Sequence, residues 1–137
     1  MTLFTTSFYG YEIGDADFLH SFFSTVAYRL EDGKWGSRYP LLMNRLYQGE
    51  LGEEHINAAL LELQDIQKRL KGFPPEAVVW DIEDLAKLPP WKDDISGDIT
   101  DLSKYFITSD GEDFITIFTH ALQKAAELKQ PLKISTL

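Results

Sequence analysis

No cysteine occurs in these 137 residues. Disulfide staples, thiolate metal ligands and redox-controlled folding are therefore excluded. Long apolar runs are also missing, and none approaches the ~18 residues a membrane span requires. The opening MTLFTTSFYGYE has no basic patch leading into an apolar core, so no signal peptide is read there and a cytosolic location is the expectation. Bases are scarce: 13 Lys and Arg stand against 22 Asp and Glu, a formal net charge of −9. Such a chain is repelled by nucleic acid and by anionic membranes, which argues against both as direct partners.

Catalytic signatures are missing too. The 3 histidines, His20, His55 and His120, fall on three different expected helices. No pair has the i, i+4 spacing of a helical zinc site. No glycine-rich phosphate cradle follows a strand, and no G-x-S-x-G elbow is present. The acid series Asp93, Asp94, Asp98, Asp101 in WKDDISGDITDL does not fit the EF-hand loop, which needs D-x-[DN]-x-[DN]-G and a distant Glu. No cofactor, metal site or catalytic residue is read from the sequence. Only a site assembled in three dimensions stays open to an enzyme.

What is present fits one α+β domain over residues 1–137, long enough to bury a core without staples. TLFTTSFY (2–9) reads as a strand, followed by a turn punctuated by Gly10 and Gly14. Asp15 or Asp17 can cap a helix to about Leu30, in which Phe18, Phe22, Val26 and Leu30 recur every four residues. Trp35 lies in the polar loop EDGKWGSR, either as a lid on the core or as an anchor for a partner. Residues 41–47 form a short helix opened by Pro40, or else a buried strand. The clearest helix runs from Glu53 to Leu70, with Ile56, Ala59, Leu60, Leu63, Ile66 and Leu70 on one face. Gly72 and Pro74-Pro75 stop it.

AVVW (77–80) reads as a central strand and YFIT (105–108) as another. Ser109 and Glu112 match a capping box for a last helix reaching about Lys129, with Phe114, Ile117, Phe118, Ala121, Leu122, Ala125 and Leu128 on its face. LKIST (132–136) makes an edge strand. The expected fold is a small, mostly antiparallel sheet packed against three to four helices.

The excess charge is concentrated. Residues 73–114 carry 11 acids and only 3 bases. They also hold Trp80 and Trp91 and the proline pair of LPPWKDD. Two prolines fix the backbone and remove two amide donors, so that stretch cannot be an interior helix or strand. Solubility explains the charge in one reading. In the other, the stretch is a surface that attracts and steers a basic protein.

The segments RYPLLMNRLYQGEL, WDIED, LPPWKDDIS and DITDLSKYFITSDGEDF resemble, in order and spacing, immunity family seventy of the bacterial polymorphic-toxin systems. The resemblance covers about residues 35–135. It implies an α+β antidote with no catalytic residues of its own, which binds and neutralises a cognate toxin protein domain, a basic nuclease being one candidate. An acidic surface could then occupy a phosphate-binding site as a decoy. The expected partner-binding patch is Trp91, Asp93, Asp94, Asp98 and Asp101, with Asp110 and Asp113 at its margin. Trp80 is expected in the core. A small cytosolic enzyme and an interaction protein with a partner unrelated to toxins are the alternatives. Oligomeric state is not legible.

Overall fold

In the computed structural model, which describes residues 1–137, the N-terminal stretch is two strands rather than one. β1 (Thr2–Thr6) and β2 (Tyr9–Gly14) form an antiparallel hairpin closed by Ser7 and Phe8. Ser7 sits at φ 50°, the left-handed region a two-residue connection demands. The expected turn at Gly10 and Gly14 is thus corrected: both glycines lie within β2. The reversal went unseen because no Asn-Gly or Asp-Gly pair announces it.

The chain then enters α1 (Ala16–Thr25), which continues to Leu30 as a wider π-helical turn. Its buried side chains include Phe18, Leu19, Phe22, Phe23, Val26 and Leu30, the stripe its four-residue spacing predicts. Residues 41–46 form a second π-helical turn, which settles the helix-or-strand alternative there. β3 (Glu50–Leu51) follows, then α2 (Ile56–Leu70), α3 (Phe114–Leu128) and β4 (Leu132–Thr136).

The sheet has four antiparallel strands in the order β2-β1-β4-β3. One face is polar, with Thr5 bonded to Ser135 and Lys133 paired to Glu50. From the other face Phe4 packs its ring 4.5 Å from Phe118 and 6.0 Å from Phe114. Alternation along each strand produces this division. Phe22 bridges outward from there, meeting Phe106 and Phe114 edge-on at 5.1 and 4.8 Å. A single cluster of 30 buried residues joins all three helices to the sheet. The two ends of the chain meet, with Leu137 N–H donating to the Met1 carbonyl at 2.9 Å.

Two expected strands are absent. Residues 77–80 follow a short 3-10 turn (Pro75–Ala77) and never join the sheet. Residues 105–108 contribute only one isolated bridge, Ile107 to Asp113. The expected capping box is also corrected. Asp113, not Ser109, caps α3, accepting from Thr116 N–H at 3.1 Å and from its hydroxyl at 2.7 Å. Ser109 and Glu112 instead flank a tight turn in which Gly111 takes φ 81° and Thr108 N–H donates to the Glu112 carbonyl. The signature S-x-x-E occurs, but the helix begins one turn later.

Two carboxylates that the sequence did not mark hold the 31–42 loop. Glu31 is buried and accepts three backbone N–H bonds, from Gly36, Arg38 and Tyr39, at 2.9–3.0 Å. Glu62, reaching across from α2, accepts Leu41 and Leu42 N–H at 3.2 and 3.0 Å. It caps that helical turn from outside and satisfies amides the turn itself leaves unpaired. Trp35 folds back as a lid, its indole N–H bonded to the Met43 carbonyl and its ring stacked on Phe23.

Candidate functional site

The segment 77–82, which includes the run 77–80 expected as a central strand, is held by side chains of α1 and its π-helical extension. Arg29 Nε donates to the Ala77 carbonyl at 2.9 Å. The Thr25 hydroxyl accepts Val79 N–H at 3.0 Å, and Ser24 Oγ accepts Ile82 N–H at 3.1 Å. A β-branched, aromatic run needs extended backbone and satisfied amides; here a polar stripe on a helix meets both needs. Its effect is to anchor the start of the loop that carries the acids and Trp91.

At the end of this strap lies a polar cluster. His20 Nδ1 is 2.6 Å from the Tyr47 hydroxyl and Nε2 is 3.3 Å from Asp81 Oδ1. Burial, with Asp81 and Glu83 nearby, pushes the Tyr47 phenol up, so it stays protonated and shares a hydrogen bond with Nδ1. The Glu83 backbone N–H, with His20 after it, holds the Asp81 carboxyl below its usual range. The cluster ties α1, the 41–47 turn and the strap together. No serine, threonine or cysteine completes it as a nucleophilic triad.

Beyond Asp81 the backbone is a series of turns, and its aromatics form a ladder. Trp80 is buried, as expected. Trp91 meets it edge-on at 5.5 Å and donates its indole N–H to Tyr105 Oη at 2.7 Å. Burial raises the Tyr105 phenol, which keeps it neutral. Trp91 is nevertheless 40% exposed. One edge is fixed to the core and the other is open to solvent.

Of the expected patch, Asp93, Asp94 and Asp98 are exposed on the same loop as Trp91 and take part in none of the ion pairs. Asp94 and Trp91 share a cleft of about 240 Å³ with Ile95, Ile99 and Tyr105. Asp101 is partly buried and caps a 3-10 turn, accepting from Ser103 N–H at 2.8 Å and from its hydroxyl. Asp113 is occupied in capping α3. Asp110 lines a different groove, beside β2. Nowhere do three or more His, Asp or Glu side chains gather as metal ligands would.

Sequence reasoning missed the apolar half of this surface. Tyr28, Leu85 and Leu88 line a groove of about 460 Å³ with Val78, Val79 and Trp80. Leu85 and Leu88 are 56% and 62% exposed and Tyr28 37%. Four exposed large apolar side chains, counting Trp91, thus stand around one loop. The available signal was LAKLPPW itself: leucines beside a proline pair, with no helix or strand to bury them. Carboxylates Glu76, Glu83, Asp84 and Asp93 flank the leucines, together with Arg29, Lys87 and Lys92.

Comparison with curated proteins and with solved structures finds no significant match to the chain. A family model does match, described as Immunity protein 70, over residues 4–134 of the 137. Nearly the whole fold lies within that span, from β1 to β4, including the strap, the aromatic ladder and the acid loop. The chain belongs to the Immunity protein 70 family.

Proposed function

We propose that this protein binds and neutralises a cognate toxin domain, and that the 83–98 loop with Tyr28 is the docking face. One observation carries the reading: Leu85, Leu88 and Trp91 remain exposed on a loop where the carboxylates Glu83, Asp84, Asp93, Asp94 and Asp98 outnumber the two bases Lys87 and Lys92. Large apolar side chains exposed together mark interaction sites. Trp91 is already held by Trp80 and Tyr105, so little freedom is lost when a partner covers it. Unpaired Asp93, Asp94 and Asp98 would steer a cationic domain toward that centre. A basic nuclease fits, because a phosphate-binding site is itself cationic. The role is one of occupancy, with no chemistry by the protein itself, inside the cell that must be protected.

The test is co-expression with candidate toxin domains from the same genome, scoring growth and recovery of a complex. Leu88→Asp should abolish rescue and co-purification while leaving the melting temperature within about 2 °C, since surface changes of this kind cost little. Full rescue by Leu88→Asp and by Trp91→Ala alike would refute the docking face.

A further inference from the structure

We propose that the free edge of β2 is a second docking site, which accepts an extended, lysine- or arginine-bearing polypeptide segment as an added strand. β2 is the outermost strand of the sheet. Its two-residue connection to β1 makes Thr6 and Tyr9 a hydrogen-bonded pair, so Tyr9 and Tyr11 bond inward to β1. Gly10 and Glu12 therefore direct their N–H and C=O groups outward, and neither bonds to any surrounding loop. One residue on, the Ile13 carbonyl does have a partner: Ser109 N–H, at 3.0 Å. The chain thus begins to pair with this edge and then turns away at Asp110 and Gly111. A groove of about 360 Å³ opens between the loop and the strand.

The lining of that groove fixes the chemistry of its occupant. Glu12 stands on the strand side, with Asp110 and Glu112 on the facing loop, and no base lines it. Lys124, which lies over Tyr9, is held by Glu127 at 3.1 Å. Phe8, at the hairpin tip leading into β2, is fully exposed and offers an apolar contact at the mouth. A second copy of this chain is excluded as the occupant by like charge: antiparallel pairing of two β2 edges would bring carboxylates of two chains, each of net charge −9, against one another. Exposed edges are usually blocked by lysine, proline or a covering loop; here the edge offers glycine and open backbone. Strand addition takes affinity from main-chain bonds and specificity from alternate side chains. Alternating cations facing Glu12, Asp110 and Glu112 meet both requirements.

The site goes beyond the docking face at 83–98, and its groove shares no lining residue with the clefts there. The probe is a fluorescent ten-residue peptide alternating lysine and valine, titrated against the full-length protein. Its glutamate–valine counterpart and a version N-methylated at alternate amides serve as controls. The lysine peptide should bind at least tenfold more tightly than either control, with amide NMR shifts confined to residues 8–13 and 108–112. Gly10→Pro, which removes only an outward donor, and Glu12→Lys with Glu112→Lys should each weaken binding at least tenfold. Leu88→Asp should leave it unchanged, which separates this site from the first. Absence of binding, or indifference to N-methylation, overturns the proposal even if Gly10→Pro fails to fold, because the methylated peptide probes the unaltered protein. Shifts centred on the 83–98 loop, or self-association that competes with the peptide, would overturn it equally.

Discussion

The hydroxyl of Thr25 stands in for a strand neighbour. It accepts Val79 N–H and lies within bonding distance of the Ser21 and Val79 carbonyls, all in the interior. Thr25→Val keeps the shape and removes the acceptor, leaving a buried amide unpaired. The expected loss is about 1–3 kcal/mol, read as a lower denaturant midpoint. Asp113→Ala removes the α3 cap and should cost about 1 kcal/mol by the same measurement. Tyr39 gives a pH signature. Burial first, and its bond to Asp65 at 2.6 Å second, push its phenol up to about 12. The unfolded chain ionises that phenol near pH ~10, so the unfolded state binds fewer protons above that point. The contribution is complete below pH ~10 and is lost as pH rises toward the folded value. Tyr47 and Tyr105 are shifted the same way. Stability should therefore fall between pH ~10 and ~12, and Tyr39→Phe should flatten part of that slope. An unchanged slope would remove Tyr39 from the account.

Helices were the legible elements and strands only partly so. α2 and α3 announce themselves through apolar spacing that suits a helix, and each buries most of the predicted face; Leu60, Ile117 and Leu128 are only half-buried, and Ile115 is buried in addition. β4 spans Leu132–Thr136 as read, but it is not the expected edge strand: it lies inside the sheet, paired to β1 on one side and β3 on the other. The runs at 77–80 and 105–108 have strand composition, but composition reports a preference for extended backbone and does not name the partner. Here the partners are side chains of α1 and a turn before α3. β3 has two residues and falls below any pattern. At the candidate site, the concentration of acids could be read, whereas sequence left Trp91 open between core and surface. That Leu85 and Leu88 stay uncovered, and that Asp101 and Asp113 are taken up as caps, depends on contacts distant in sequence. The 83–98 loop has no helix or strand and only Pro89, Trp91 and Ile95 fix it to the core, so it should open before any helix. Trypsin should cut first at Lys87 or Lys92, ahead of Lys68 and Arg69 on α2, and a bound partner should suppress those cuts. Peptide mapping by mass spectrometry over a time course decides it.

For the molecule as a whole, a net charge of −9 acts at a distance that no single contact reaches. Asp93→Lys with Asp94→Lys changes it by four units at the proposed docking face. Association with the toxin domain should slow by about tenfold at low salt and depend less steeply on ionic strength, with the melting temperature nearly unchanged. Stopped-flow rates across a salt series test this; an unaltered association rate would mean the field plays no part.

β1 lies between its neighbour in sequence and the last strand of the chain, and Thr5 bonds Ser135 across a separation of 130 residues. During synthesis the hairpin is made well before β4, and the β1 flank stays open until β4 arrives; the pairing of β1 with β4 has the longest loop in the sheet to gather. A chain stalled or clipped before Leu132 would retain an unzipped β1 flank, ready to recruit strands from other molecules into aggregates.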